Sequence, residues 1–488
     1  MNKNKRTLLF LITKIIAGFA SIIAISIRSM YINPTQYSDY YFIVQFIGII
    51  NIVLISWISE SCARYYDSTS DKKVFYSTYL TSLFVGILLS IFTIFSIGYF
   101  IGDSIVYDYA WLVIGVIILS SLSDVLSQIF RMTNKVVMFS IIMIFSSISN
   151  IIVFILLPKS MGISSLFLTT IFVNSILVIF SFFYLKIYKY YSIKTFSVLL
   201  LQKSLKYSLP LIIVWGSIWI FSSSNTYVIK YLIGDAQVSY YNMAHTITFQ
   251  SLGIIPNSFI FSIFPTLVSF WNLKEYKKVE NEIGKSLTIS LKFFVPAAIG
   301  LCCISPFLYG TIINANYNPN NEGSFLIIIF SLGLMINFIH EIIIRIWNLE
   351  EKTTFIAISG AASSLFSLVL SILLLYIFRN YLLAGIVYLI TVTIRTIIVF
   401  FVIRRKWKIR VMAKEILVSL IFSITMGGTV FIFLFFSPRN ILFLFIGVII
   451  GVVVYTLPML VTKQLKREIA LLLSFFVQSK SKDSFTQM

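Results

Sequence analysis

The chain has 488 residues, of which 58% are hydrophobic and 11% are charged, and its formal net charge is +20. This composition excludes a soluble globular protein and favours a multi-pass membrane protein. The positive charge is spread along the chain and is not gathered in one basic arm, so it does not predict a nucleic-acid partner.

Fourteen apolar runs are long enough to cross a bilayer, because about 20 apolar residues in a helix span its hydrocarbon core. The predicted spans are 7–29, 40–63, 75–101, 109–130, 136–157, 164–186, 208–232, 239–264, 286–310, 323–347, 354–378, 381–403, 411–436 and 440–462. Segments on the side of the amino terminus hold 28 of the 38 Lys and Arg residues, and the opposite side holds three. By the positive-inside rule, this asymmetry predicts that both termini are cytoplasmic.

The longest connection on the predicted cytoplasmic side divides the spans into two sets of six. This linker, 187–207, contains an amphipathic stretch that we interpret as an interfacial helix. The predicted organisation is therefore an N-lobe in 1–186 and a C-lobe in 208–403. Two further helices occupy 411–462, and a cytoplasmic tail occupies 463–488.

The exit from the first span recurs at the exit from the seventh. A shift of 201 residues aligns Ile32, Gln36, Ser38 and Tyr40 with Ile233, Gln237, Ser239 and Tyr241. Each lobe has an even number of spans, so the first helices of the two lobes enter the membrane from the same side. The pattern predicts a parallel repeat, related by an axis along the membrane normal.

The sequence shows no motif that is typical of catalysis or metal binding. His245 and His340 lie on different predicted helices and lack metal-ligand spacing. Cys62, Cys302 and Cys303 lie in or beside apolar runs, which favours small buried side chains. No nucleotide-binding loop is present. We therefore expect a transporter driven by a gradient, with no catalytic residue, metal or cofactor.

Basic residues inside the predicted spans carry the main functional signal. Lys14 and Arg28 are 14 residues apart, which places them on nearly the same face of the first helix. Lys230 precedes the exit from the seventh span, and Arg395 lies well inside the twelfth. Because lipid does not readily accept a cation, we expect these residues to face a hydrated cavity that binds an anion.

Other polar residues within the spans extend this candidate site. The predicted polar lining consists of Ser223, Asn225, Tyr227, Asn242 and His245. Four further charged residues could couple an ion or could pair structurally: Glu60, Asp124, Glu341 and Arg345. Glu341 and Arg345 are four residues apart, a spacing at which helical side chains meet.

Three stretches resemble a known family: TQYSDYYFIVQFIGIINIV after the first span, KYSLPLII at the start of the seventh, and VIKYLIGDAQVSYYNMAHTI after it. With the arrangement of six, six and two spans, they resemble the polysaccharide transport branch of the multidrug/oligosaccharidyl-lipid/polysaccharide exporter superfamily. The resemblance implies a flippase of the bacterial inner membrane. Its substrate would be an undecaprenyl-diphosphate-linked oligosaccharide, such as an O-antigen or capsule repeat unit, moved by alternating access through a cationic central cavity.

The resemblance also implies roles for the basic residues. Arg28 and Lys230 would bind the pyrophosphate, and Lys14 and Arg395 would line the inner half of the cavity. Ile229 stands in strict register with Arg28, a departure from a symmetric pair of arginines. The implied partners are the lipid-linked oligosaccharide, membrane lipids, and the polymerase and chain-length regulator of the same pathway, with no nucleic acid.

Two other classes of protein stay open. A small-molecule or drug/ion antiporter of the same superfamily should line its cavity with acidic residues. An O-antigen polymerase or ligase would place its chemistry on sizeable outer loops, whereas the longest predicted outer loop is around 311–322.

Overall fold

The computed structural model describes residues 3–66, 68–101, 105–132, 136–462 and 464. Over these residues the chain forms helices and no strand, with an isolated β-bridge between Tyr309 and Ile313. Helices satisfy their own backbone hydrogen bonds, which a segment inside lipid must do. The predicted all-helical class is confirmed.

Nineteen α-helices follow one another along the described residues. They are α1 Lys3–Tyr31, α2 Pro34–Leu54, α3 Ser56–Tyr65, α4 Lys72–Ile101, α5 Ile105–Asp108, α6 Ala110–Met132, α7 Val136–Leu156, α8 Ile163–Tyr184, α9 Ile187–Tyr190, α10 Val198–Leu232, α11 Asp235–Leu252, α12 Ile254–Asn272, α13 Tyr276–Leu308, α14 Glu322–Ile343, α15 Arg345–Leu349, α16 Thr353–Phe378, α17 Leu382–Arg404, α18 Ala413–Phe436 and α19 Ile441–Val461.

Twelve helices in the described part of the chain are long and apolar enough to cross a bilayer. The apolar part of α1 found among these residues is the shorter segment Ile16–Tyr31. The predicted eighth span, 239–264, is divided between α11 and α12, which are separated by Gly253. A multi-pass membrane protein is thus established. The count of fourteen spans and the cytoplasmic position of both termini stay predictions.

The chain divides into two compact units. Unit 1 comprises Met1–Ile22, Met243–Ile356 and Leu382–Met488. Unit 2 comprises Ile23–Asn242 and Ala357–Tyr381.

In unit 2, a buried apolar core runs through α2 to α8 and reaches the start of α10. Residues 198–207, within the predicted linker, form the first turns of the 35-residue helix α10. Hydroxyl groups join the start of α10 to α3 and α4. The Tyr79 and Ser204 hydroxyl oxygens lie 2.7 Å apart, and Ser61 donates to Ser208 Oγ at 3.0 Å. Small hydroxyl side chains let the helices approach closely.

In unit 1, one core lies around α12 to α15 and α17, and a second joins α13 to α18 and α19. A buried lysine links the second set of helices. Lys292 of α13 is 1% exposed and pairs with Glu415 of α18. Its Nζ also donates to the backbone oxygen of Gln464 at 3.0 Å. Apart from Gln464, the predicted tail 463–488 lies outside the described residues.

The repeated sequence marks equivalent helix breaks. The gap between Tyr31 and Pro34, where α1 gives way to α2, recurs 201 residues later between Leu232 and Asp235, where α10 gives way to α11. The aligned residues therefore occupy the same turn and the same first turns of the following helix.

Candidate functional site

Arg28 lies three residues before the end of α1 in unit 2 and is half-buried. Its Nη2 donates to Asn150 Oδ1 at 3.4 Å, its side chain is hydrogen-bonded to Tyr37, and its Cζ lies 5.7 Å from the ring centroid of Phe154. Among the described residues no carboxylate pairs with it, and its buried Nε has no acceptor. A buried donor left unsatisfied costs about 1–3 kcal/mol, so this guanidinium has capacity for a further acceptor.

Lys230 has a different environment near the end of α10. Its Nζ lies 3.4 Å from Asp39 Oδ1 and 3.4 Å from Asp235 Oδ1, and its side chain is 12% exposed. The amine also lies 4.4 Å from the ring centroid of Phe42. Two carboxylates therefore balance this cation, and an anionic ligand would have to compete with them.

In unit 1, charged side chains gather around the end of α14, the start of α15 and the middle of α17. Arg345 Nη2 donates to Glu341 Oε2 at 2.7 Å, the helical pair that the spacing predicts. Arg395 donates to Asn337 and interacts electrostatically with Glu341. His340 is 2% exposed, and its Nδ1 lies 3.7 Å from Glu341 Oε1. The cluster holds two guanidinium groups and one carboxylate, which leaves an excess of positive charge.

The remaining charged candidates are more scattered. Lys14 belongs to unit 1, and its side chain is exposed. Glu60 on α3 is half-buried and Asp124 on α6 is exposed, both within unit 2. Over the residues that the structure describes, neither carboxylate forms an ion pair.

The predicted polar lining contributes to packing between α10 and α11 within unit 2. Asn225 Nδ2 donates to the Tyr241 hydroxyl at 3.0 Å, and Asn242 Nδ2 donates to Thr226 Oγ1 at 3.1 Å. Ser223, Asn225 and Asn242 are all buried. These hydrogen bonds satisfy polar groups that would otherwise be costly inside a membrane protein.

Two of the predicted lining residues, Tyr227 and His245, pack against aromatic rings. Tyr227 donates its hydroxyl hydrogen to the backbone oxygen of Phe42 at 3.4 Å and packs against Trp219. His245, which lies in unit 1, stacks on Phe249 with ring centroids 4.0 Å apart.

The partners of the basic residues were not predicted from the sequence. Asp39 and Asp235 both stand in the repeated turn segments, one beside each copy of the helix break, and that placement was a usable signal. Asn150 and Asn337 are single amides inside apolar helices, and buried amides of this kind usually have a hydrogen-bonding partner. Their partners could be assigned only once the helices were packed.

The fold is shared with solved membrane transporters. The structure of the lipid II flippase MurJ in an inward closed conformation matches with a TM-score of 0.72 and 17% identity, over 94% of this chain and 99% of that one. An inward-facing multidrug resistance MATE family transporter of the MOP superfamily matches with a TM-score of 0.64 and 15% identity, over 83% of this chain and 98% of that one.

A third structure extends the likeness within the same superfamily. A MOP superfamily transporter from Pyrococcus furiosus, described as having a binding pocket of reversed polarity, matches with a TM-score of 0.53 and 13% identity, over 83% of this chain and 96% of that one. These matches define the class of fold as that of the MOP exporters. No functionally curated protein matches the chain by sequence.

The family described as "Polysaccharide biosynthesis protein" matches residues 32–322. The chain belongs to this family, and its fold is that of the MOP exporters. The resemblance that its sequence shows is confirmed.

Proposed function

We propose that this protein moves an undecaprenyl-diphosphate-linked oligosaccharide, such as an O-antigen or capsule repeat unit, across the bacterial inner membrane. The family membership supports a place in polysaccharide biosynthesis, and a fold neighbour that is itself a lipid flippase supports transport of a lipid-linked substrate. Alternating access driven by a gradient would move the substrate, and the pathway's polymerase and chain-length regulator would be its partners.

The observation that carries the proposal is the state of Arg28. It is a half-buried guanidinium on α1 that lacks a carboxylate partner among the described residues, and its Nε lacks an acceptor. A phosphate or diphosphate offers strong acceptors in the planar geometry that guanidinium groups bind. Lys230 would join Arg28 in binding only if Asp39 and Asp235 release it.

The basic residues of unit 1 fit the same chemistry. Arg395 and Arg345 outnumber the carboxylate beside them, so the cluster favours an anion over a cation. A drug/ion antiporter of the same superfamily is the second candidate. Asp124 favours it, because an exposed carboxylate on a membrane-spanning helix could bind an exchanged cation.

Complementation tests the proposal. A strain that lacks its repeat-unit flippase should regain surface polysaccharide when it expresses this chain. Arg28→Ala should weaken the rescue and Arg28→Lys should retain more of it, because a positive charge remains. Arg439→Ala, which removes an exposed cation from a connection between helices, is the matched control. Protein levels are compared by immunoblot.

The outcomes separate the two candidate functions. Full rescue by the double variant Arg28→Ala and Lys230→Ala would overturn the assignment of the diphosphate to these residues. Failure of the unmodified chain to rescue, together with Asp124-dependent drug efflux, would favour the antiporter.

A further inference from the structure

Lys159 is a further basic residue, in the connection between α7 and α8. Its amine lies 4.6 Å from the ring centroid of Phe154 and 4.5 Å from that of Tyr31. Arg28 lies 5.7 Å from the same Phe154 centroid. Two cations therefore share one aromatic ring, which places their charges within about 10 Å of each other.

Nothing in the described part of the chain neutralises this pair. No carboxylate forms an ion pair with Arg28 or Lys159 there, and their contacts are with amide, carbonyl and aromatic groups. Burial lowers the pKa of Lys159, the direction expected of an ammonium group that has lost water without gaining a countercharge. This end of α1 and α7 therefore carries net positive charge, which favours an anion.

A structural role accounts for only part of the Lys159 contacts. Its Nζ donates to the backbone oxygens of Phe154 at 2.9 Å and Ile155 at 3.3 Å, so it caps the end of α7. An ammonium has three N–H donors, so one remains. The Nε of Arg28 is likewise without an acceptor. Tyr31, whose ring Lys159 contacts, is 52% exposed, and both cations are half-buried, so they lie next to the surface of unit 2.

We propose that Arg28 and Lys159 together form a binding site for the diphosphate group of a lipid-linked substrate, at the end of unit 2 where α1 and α7 terminate. Two phosphoryl groups can engage two separated cations, whereas one phosphate engages them less completely. The positive-inside orientation places this end on the outer side, where the site would hold the substrate after its passage. This inference rests on the proposed function and adds Lys159 to it.

Binding to the purified full-length protein in nanodiscs tests the site, with farnesyl diphosphate and farnesyl monophosphate as probes. Lys159→Met should weaken binding of the diphosphate about tenfold, the loss expected for one charge-assisted hydrogen bond. Binding of the monophosphate should change much less. Lys159→Arg should retain the affinity for the diphosphate, and Arg439→Met should match the unmodified protein.

If Lys159 only caps the end of α7, the binding experiment should have a different result. Lys159→Met would then lower the unfolding temperature and leave the affinity for farnesyl diphosphate unchanged, which overturns the site. Equal losses for both probes would overturn the diphosphate assignment.

Failure of this inference is distinguishable from failure of the proposed function. If the unmodified chain restores surface polysaccharide and Lys159→Met restores it equally with unchanged binding, the function stands and the site does not. If the unmodified chain does not restore it but binding of farnesyl diphosphate depends on Lys159, the site stands and the function does not.

Discussion

The charged residues inside the helices of this protein fall into two groups by what surrounds them. Lys292, Arg345 and Lys230 are each paired with a carboxylate in the structure. Arg28 bonds to an amide and faces an aromatic ring. A paired cation has little net charge to offer a ligand, whereas Arg28 still has both charge and donors.

The pair formed by Lys292 and Glu415 gives a prediction for stability. Lys292→Met should destabilise the protein by roughly 3 kcal/mol, because it leaves a carboxylate without its partner in a largely buried site. Denaturant unfolding in detergent measures the change. Lys414 is exposed and directly precedes Glu415, so Lys414→Met is the matched control and should have little effect on stability. Equal stability of both variants would contradict a structural role for the pair.

Glu350, between α15 and α16, gives a prediction for pH. Burial raises the pKa of this carboxyl, but hydrogen bonds from Lys352, Lys406 and Trp407 outweigh it, and the net pKa lies below its usual 4.5. A lowered folded-state pKa stabilises the protein above the unfolded value, and this contribution is lost as the pH falls below about 4.5.

Unfolding temperatures between pH 7 and about pH 3.5 test this assignment. The unmodified protein should lose more stability on acidification than Glu350→Gln, in which the titrating group is absent. Glu351→Gln, at the exposed neighbouring position, should follow the unmodified protein. Parallel curves for the unmodified protein and Glu350→Gln would refute it.

At the level of whole elements, close approach of backbones sets how the segments of unit 1 cross. A Cβ atom at Gly284 of α13 would lie 2.0 Å from the backbone oxygen of Arg410, so only glycine fits there. The segment leading from α17 to α18 crosses α13 at this point. Two further hydrogen bonds hold that segment: Lys408 N donates to Glu280 and Met412 N donates to Thr288.

Gly284→Ala should therefore displace the segment before α18 and destabilise the protein by about 1–3 kcal/mol, the usual cost of overpacking. Gly428→Ala is the control, since a Cβ atom there meets nothing within 4 Å and glycine is a poor helix former. That variant should be neutral or more stable, and thermal unfolding in detergent compares the two. A Gly284→Ala protein as stable as Gly428→Ala would contradict the close crossing.

At the scale of the whole molecule, the number of membrane crossings depends on α11 and α12. Together they cover the predicted eighth span, yet neither is among the twelve long apolar helices of the described chain. α11 carries polar residues that bond to α10, and the helix is interrupted at Gly253. If the two helices cross the membrane together as one interrupted span, every later segment stays on the side that the positive-inside rule predicts for it.

Labelling of single cysteines in intact cells tests this crossing, after replacement of Cys62, Cys302 and Cys303. A cysteine at Gly234 should react with an impermeant reagent from outside, and one at Lys274 should not. Asn380 should resemble Gly234 as an outer reference. Reaction at both Gly234 and Lys274 would rule out the crossing and the fourteen-span count with it.

The sequence by itself determined the all-helical membrane class, the family and the repeated turn after α1 and α10. Apolar length, the composition of the spans and local similarity are properties of contiguous residues, so they can be read along the chain. The helical pair of Glu341 and Arg345 was predictable for the same reason, because four residues in a helix fix their distance.

Only the tertiary structure decided which buried charges already have partners. Asp39 lies 191 residues from Lys230, Asn150 lies 122 residues from Arg28, and Glu415 meets Lys292 on another helix. Whether a cation is paired or still able to bind a ligand depends on which helices pack together. That packing depends on close approaches such as Gly284 against Arg410, which one-dimensional periodicity does not contain.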